Sequence, residues 1–537
     1  MNSNKILLFL ILATHISFHV NLEIPVYGSI SELGYYYIKV FAGYPTIQVQ
    51  TLLIDTGSSF TGFACSDCLE CGFHEYKPYN ASLSNSKILK CNTNTGKNVL
   101  NSNIIRRCNC SQEGTCIYSV KYSEGSRLTG YFIEDFVEFE NMPPISRWNK
   151  GKERNNSRLV IGCNLFEHKP FKHQKATGIM GLGNFKTVDY LNSVINNVFN
   201  NRSVLKSELE EIISIHLNKR GGKLVFGYVI NNKLSSEMSE LKPIQRCSDE
   251  ERYCGYVRNI KINGYKLTTG RSSENHLYRA IFDTGTTITV LPSNIYNNLI
   301  NQILKVVIKL YPYISGYDYM DGTTCWKISN TVSINEFPNL ELEFVRNQSE
   351  NTLEYSTINW TSNSYLFINE IIDSENKIYC LGIVSDNVND YLSAAYDVNY
   401  NAQNYQDEII LGATFFVDRE ISLFLNKGQI LIGSTDIDTS NINEKYLLVN
   451  DSSFKDKYGR TKQFNKILSH ARKINVIRSE LKDNRVFKLI WNKFKRHKSF
   501  LTIIIIFNPF FLILIIRSVR RNNLNKLSLG VGSNCSR

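Results

Sequence analysis

Short apolar runs alternate with polar residues between positions 30 and 436, and Gly or Asn breaks them every few residues. A period of two, with Ile, Val, Tyr and Phe plentiful, predicts strands rather than helices and therefore a mainly β protein. Gly34-Tyr35-Tyr36-Tyr37-Ile38-Lys39-Val40 followed by Gly43-Tyr44-Pro45 reads as a hairpin, and Tyr122-Ser123-Glu124-Gly125-Ser126 as a turn between two strand-like runs. Two more runs, Thr51-Leu52-Leu53-Ile54 and Tyr278-Arg279-Ala280-Ile281-Phe282, each lead directly into a turn. Outside this region the pattern changes. Ile6 to Leu12 and Phe500 to Ile516 are almost unbroken apolar stretches, and Ile467, Ile474, Ile477 and Leu481 recur at the spacing of an amphipathic helix.

The two turns are nearly the same phrase. Asp55-Thr56-Gly57-Ser58-Ser59 follows the first run and Asp283-Thr284-Gly285-Thr286-Thr287 the second. One Asp-Thr-Gly is a common strand-to-turn tripeptide. Two copies in matched contexts predict two similar lobes, each delivering one carboxylate to a shared site. Carboxylates held close cannot both ionise easily, so the pair shares a proton and one member acts as base while the other acts as acid. Gly permits the tight turn, and the hydroxyls can orient the neighbouring carboxylates.

Further runs stand in order along the chain: Gly178-Ile179-Met180-Gly181-Leu182-Gly183, Gly221-Gly222-Lys223-Leu224-Val225-Phe226-Gly227 and Ile410-Leu411-Gly412-Ala413-Thr414-Phe415-Phe416. With the paired Asp-Thr-Gly motifs, these resemble the pepsin-like aspartic peptidase family over residues 30 to 436. The resemblance implies a bilobal, mainly β fold with a central cleft, with Asp55 and Asp283 catalytic and polypeptides as substrates. Water is then the nucleophile, and no cofactor or metal is expected. It also implies that the Tyr122 turn is a flap over the cleft, and that Gly57, Tyr122, Glu124, Gly285, Thr286 and Thr287 contact substrate. Glu124 departs from the small or hydroxyl residue usual on such a flap. A carboxylate there would favour a basic substrate side chain, Arg above all, because a bidentate pair is strong and selective.

Cysteine usage narrows the resemblance. Of 13 Cys, seven crowd into the first lobe: Cys65, Cys68, Cys71, Cys91, Cys108, Cys110 and Cys116. Cys163, Cys247, Cys254, Cys325 and Cys380 follow, and Cys535 lies near the C-terminus. Cys65-x-x-Cys68-x-x-Cys71-Gly72-x-His74 has the spacing of metal ligands. Export and an even count of twelve favour disulfides, with the pairing open. This Cys-rich insert is similar to that of nepenthesin-type plant enzymes. With the Glu-bearing flap and the C-terminal apolar run, it resembles the branch of membrane-anchored secretory-pathway proteases that cut after the Leu of an Arg-x-Leu motif. Lys121 before the flap Tyr and the long basic stem depart from that pattern.

The chain's ends set the expected topology. Lys5 followed by Ile6 to Leu12 reads as a signal peptide within residues 1–20. Phe500 to Ile516 is at the short end of the roughly 17–25 residues a bilayer span needs. Basic residues flank it on both sides, so export of the body decides the orientation: a type I protein with a lumenal catalytic region and a cytosolic tail of residues 517–537. The expected organisation is an N-terminal lobe at 30–245, a C-terminal lobe at 246–436 and a basic stem at 437–499. The endoplasmic reticulum membrane is the expected location, with the Golgi membrane second. The net charge of +12 is concentrated in the stem, from Lys455 through Lys498. Such a run invites nucleic acid as a partner, but a lumenal position argues against it. Seven Asn-x-Ser/Thr sites in the expected lumenal part, at Asn80, Asn109, Asn155, Asn201, Asn347, Asn359 and Asn450, are compatible with glycosylation. Three other readings compete: a less selective protease of a secretory or digestive organelle, a silent binding protein on the same scaffold, and a metal-binding receptor. Silent relatives typically lose an Asp or the following Gly, and here both motifs are intact.

Overall fold

The computed structural model describes residues 22–91, 108–122, 125–141, 158–168, 170–183, 194, 198, 210–230, 241–247, 252–268, 276–320, 323–348, 352–386 and 408–434. The expected signal peptide, stem, apolar run 500–516 and tail lie outside these residues, as do Ser123 and Glu124. Among the described residues no helix is long and apolar enough to cross a membrane.

The alternation read in the sequence becomes strands with one face inward. In Leu22–Ser29 the buried positions are Leu22, Ile24, Val26 and Ser29, and in Tyr35–Ala42 they include Tyr36, Ile38, Val40 and Ala42. This first strand starts ahead of residue 30, where the resemblance begins, and pairs antiparallel with Gly221–Phe226. The two strands that carry the Asp motifs are different. Gln48–Asp55 is buried at every position from Gln50 to Asp55, and Tyr278–Phe282 at every position except Arg279. Continuous burial is what a strand covered on both faces requires.

The two halves repeat one arrangement. Gln48–Asp55 pairs in parallel with Gly178–Gly181, which runs antiparallel to Thr61–Ala64, which in turn lies parallel to Arg158–Glu167. In the second half Tyr278–Phe282 pairs in parallel with Glu408–Leu411, which meets Thr289–Leu291 antiparallel at Val290 and Ile410. Thr289–Leu291 then lies parallel to Ile383–Ser385. In each half, therefore, the strand after the Asp-Thr-Gly turn does not fold back on the strand before it. A later segment inserts between the two, which leaves the turn at the open end of the sheet.

An arm of the first half's sheet, continued through the pairing of Leu22–Ser29 with Tyr35–Ala42, joins the halves. Its order is Lys242–Gln245, Gln429–Ser434, Arg419–Phe424, Ile212–Asn218, Gly221–Phe226 and Leu22–Ser29, so strands from both ends of the described chain lie in one sheet. Arg419 anchors it. The side chain is buried, and its guanidinium donates to the carbonyls of Phe415 at 2.7 Å, Val417 at 3.4 Å and Asn359 at 2.7 Å while lying over the Phe415 ring. A four-stranded sheet of Ile314–Met320, Thr323–Ser329, Asn376–Leu381 and Leu366–Ile371 completes the second half. A helix, Ser293–Lys309, packs Ile295, Tyr296, Leu299, Ile300 and Ile303 inward at helical spacing.

Candidate active site

The two Asp-Thr-Gly turns meet. Thr56 and Thr284 form a reciprocal, fully buried network: each backbone N–H donates to the other's hydroxyl, at 3.1 and 3.0 Å. Each hydroxyl then donates across the interface, from Thr56 to the Phe282 carbonyl and from Thr284 to that of Ile54, both at 2.8 Å. Every donor and acceptor in this crossing is satisfied, so the two halves are registered to each other by hydrogen bonds that water cannot replace.

The same symmetry orients the carboxylates. Gly57 N–H donates to Asp55 Oδ1 at 2.8 Å, and Gly285 N–H to Asp283 Oδ1 at 2.9 Å. Ser58 Oγ donates to Asp55 Oδ2, and Thr286 Oγ1 to Asp283 Oδ2 at 2.7 Å. The inner oxygen of each Asp is thus held by its own turn's backbone and the outer one by its own turn's hydroxyl. Glycine is required here for closeness. A Cβ on Gly57 would stand 2.5 Å from Asp283 Cγ, and one on Gly285 would collide with the Asp55 carboxylate. Each glycine is the floor on which the opposite carboxylate rests.

This setting explains the acid–base behaviour of the pair. Burial, then the charge of Asp283, pushes the Asp55 carboxyl well above the ordinary carboxylate range. The Ser58 and Gly57 hydrogen bonds oppose that rise without cancelling it, and a hydrogen bond to Asp283 adds to it. A close pair in which the buried member, Asp55, resists ionisation can hold one proton between two carboxylates, which is the requirement for simultaneous base and acid action.

Of the remaining expected site residues, Glu124 lies outside the described residues. Thr287 uses its hydroxyl to donate to the Gly34 carbonyl at 2.6 Å, tying the second turn to the hairpin of the first half. The strands Cys116–Lys121 and Arg127–Phe139 form an antiparallel hairpin whose last pair is Lys121 with Arg127. Its tip is closed by Tyr122 N–H to the Ser126 carbonyl at 2.9 Å and Gly125 N–H to the Tyr122 carbonyl at 3.0 Å. Gly125 has φ of +88°, a conformation that costs any other residue strain. Tyr122 packs against Phe171 with ring centroids 5.2 Å apart.

All twelve body cysteines are paired: Cys65–Cys163, Cys68–Cys71, Cys91–Cys110, Cys108–Cys116, Cys247–Cys254 and Cys325–Cys380. The metal-like spacing around Cys65 is therefore a pair of disulfides. His74 sits buried beside Glu167, with Nε2 at 2.9 Å from Glu167 Oε2 and Nδ1 at 3.1 Å from the Gln174 carbonyl.

Sequence reasoning overlooked Thr56, Thr284 and a second symmetric pair, Thr61 and Thr289. Thr61 Oγ1 accepts from Gly181 N–H at 3.2 Å, and Thr289 Oγ1 from Gly412 N–H at 3.1 Å. The signal was present: when Asp55 is aligned on Asp283, Thr recurs at the next position and again at the seventh of each motif.

This fold and this paired-aspartate centre place the chain in the pepsin-like aspartic protease family, whose members hydrolyse peptide bonds. Residues 36–228 match the family described as "Xylanase inhibitor N-terminal" and residues 252–428 the one described as "Xylanase inhibitor C-terminal". Among curated relatives, "Plasmepsin V" of Plasmodium falciparum is 26% identical, covering 75% of this chain and 71% of its own length. "Aspartic proteinase 36" of Arabidopsis thaliana is 26% identical over 55% of this chain and 59% of its own. "Aspartic protease 5" of Toxoplasma gondii is 27% identical, over 37% of this chain and 20% of its own. The chain is a peptide-bond hydrolase with polypeptide substrates.

Proposed function

We propose that the chain is a membrane-anchored aspartic endopeptidase of the secretory pathway, with Asp55 and Asp283 as its catalytic pair, that cuts after the Leu of Arg-x-Leu-like sequences. The observation that carries the catalytic part is the mirrored hydrogen bonding of the two carboxylates over each other's glycine. A xylanase-inhibitor description alone would also fit a silent scaffold, but both Asp-Thr-Gly motifs are intact and assembled.

In this reading the pair binds one water. The ionised carboxylate takes a proton from the water as its oxygen attacks the scissile carbonyl carbon, and the protonated carboxyl hydrogen-bonds the carbonyl oxygen. The proton of that carboxyl completes the tetrahedral diol, which then collapses: the C–N bond breaks as the other carboxyl gives its newly gained proton to the departing amine, a diol hydroxyl returns a proton, and the pair is left singly protonated. No covalent intermediate forms, since the nucleophile is water. Ser58 and Thr286 hold the outer carboxylate oxygens in place through these proton movements, and Tyr122 closes over the bound peptide.

Specificity and location are the finer part of the proposal. Glu124, which precedes Gly125 in the sequence, is assigned the substrate Arg. The apolar run Phe500 to Ile516 is the tether, with a signal peptide at residues 1–20 and the catalytic region lumenal, in the endoplasmic reticulum or, second, the Golgi. Six disulfides support an oxidising compartment, and of the four described sequons Asn109, Asn347 and Asn359 stand exposed while Asn80 is half-buried. The test is cleavage of an Arg-x-Leu peptide beside its Arg→Lys and Arg→Ala versions, by wild type and by Glu124→Ala. Loss of cutting without the Arg, together with loss of that preference in Glu124→Ala, supports the assignment. Equal cutting of all three peptides by wild type leaves a less selective protease.

A further inference from the structure

The Cys-rich insert contains one side chain that the hydrolytic mechanism leaves unused. His74 has a side chain only 1% exposed, and its carboxylate partner Glu167 only 2%. Both imidazole nitrogens face acceptors: Nε2 the Glu167 carboxylate and Nδ1 the Gln174 carbonyl. A neutral imidazole has one N–H and turns the lone pair of its other nitrogen on an acceptor, whereas the imidazolium donates to both. Glu167 is held further by Gly72 N–H at 3.1 Å on Oε2 and by Asn164 Nδ2 at 3.2 Å on Oε1.

What His74 holds is the turn under the flap. Gln174 closes the short helical turn Phe171–His173, and the Phe171 ring is the one packed against Tyr122. The chain is pinned just past Gln174 as well, where Lys175 and Ala176 N–H donate to Tyr35 Oη at 2.8 and 3.1 Å. Glu75 N–H donates to the Lys175 carbonyl at 2.8 Å, and the Lys172 ammonium reaches Glu70 at 3.0 Å. The insert therefore grips this turn along its length, with His74 as its buried charged contact.

We propose that His74, as an imidazolium paired with Glu167, is a positioning residue that sets the Phe171 turn, and through it the Tyr122 flap, for substrate binding. This rests on the reading that the Tyr122 hairpin closes over the peptide. The charged and titratable groups on the elements packed around His74 include Asp67, Glu70, Glu75 and Tyr76 on the insert, Glu167 at the end of the neighbouring strand with His168 just past it, Tyr35 and Tyr118 on the strands behind, and Lys172, His173 and Lys175 on the turn and directly after it. Burial pulls the His74 imidazole down, but the hydrogen bond and charge of Glu167, with the Gln174 and Ala176 backbone, outweigh it and hold it above the ordinary histidine range. The contact is thus complete below that raised value and is lost as pH climbs through it. Loss leaves the Glu167 carboxylate buried without its cation.

The test uses the full chain, purified with its disulfides intact, assayed for peptide cleavage across pH while the imidazole of His74 and the rings of Phe171 and Tyr122 are followed by NMR. For wild type, KM is expected to rise several-fold as His74 loses its proton, with kcat changing by less than about twofold, since ground-state and transition-state binding fall together. His74→Gln should show the raised KM at all pH and no such step. Phe171→Ala guards against a His74 variant that fails to fold: its His74 should still titrate while KM no longer follows. A KM profile in His74→Gln that overlays wild type, or Tyr122 ring signals indifferent to the His74 titration, would overturn the proposal. If wild type shows no Asp55-dependent cutting, the protease reading fails, and the ring signals alone decide the coupling.

Discussion

At the scale of single residues, the site is decided by which groups stand opposite each other. Removing one carboxylate, as in Asp55→Ala, takes away the base or acid of the pair and should lower kcat by roughly 10²–10⁴-fold. Asp55→Asn has a second consequence. Burial and then Asp283 hold the Asp55 carboxyl above its unfolded value, so the folded state keeps a proton the unfolded chain has released. Native stability therefore falls as pH rises from the ordinary carboxylate range towards the raised one. The amide carries no such burden, so Asp55→Asn should melt above wild type at neutral pH and converge with it in acid; scanning calorimetry at both pH values checks this. Thr56→Val strips the crossing of a hydroxyl and leaves the Phe282 carbonyl and Thr284 N–H buried and unanswered. Each such group costs about 1–3 kcal/mol, so a urea melt should shift to lower denaturant. The two Asp, their glycines and the following hydroxyls were legible in the sequence because the chemistry dictates those residue types. The Thr crossing was not read, because its partners are backbone groups in the other half, and only the overlay of both motifs exposes the repeated Thr.

At the scale of elements, strands declared themselves where one face is wet, as in Leu22–Ser29 and Tyr35–Ala42. The insertion of Gly178–Gly181 and Glu408–Leu411 beside the Asp strands was beyond pattern reading, since parallel pairing joins residues far apart in sequence. The helix Ser293–Lys309 went unread although Ile295, Leu299, Ile300 and Ile303 repeat at helical spacing, because its polar face is Asn-rich and resembles the surrounding loops. Disulfide pairing also needed the fold. The Cys65–Cys163 bridge ties the insert to the strand that carries Glu167 and closes 98 residues of chain. By chain entropy such a bridge contributes about 4–5 kcal/mol, so Cys65→Ser with Cys163→Ser should lower the melting temperature clearly, and trypsin should then cut the insert. At the flap, Gly125→Val places a β-branched residue at φ of +88°, with strain on the order of 1–3 kcal/mol. A raised KM with kcat nearly retained is the expected result, read from initial rates.

At the scale of the whole molecule, the shared sheet explains how two separately built halves act as one site. Arg419–Phe424 of the second half pairs with Ile212–Asn218 of the first, and Lys242–Gln245 pairs with Gln429–Ser434, so neither half is complete without chain from the other. The buried Arg419 ties the Asn359, Phe415 and Val417 carbonyls of the second half to this sheet. Fold class and bilobal plan were readable from the duplicated motif, whereas the sheet that unites the lobes was not, because its strands are ordinary alternating runs with no local mark of their partners. If Phe500 to Ile516 is the tether, the full chain should float with phosphatidylcholine vesicles and resist extraction by carbonate, and deletion from residue 500 onward should release it. The central claim, however, is that the two crossed turns form one hydrolytic centre. The most direct measurement is kcat/KM on an Arg-x-Leu peptide for wild type, Asp55→Ala and Asp283→Ala, each confirmed folded by circular dichroism. The account predicts cleavage by wild type and background rates for both variants. Cleavage that survives either substitution in a folded protein would contradict it.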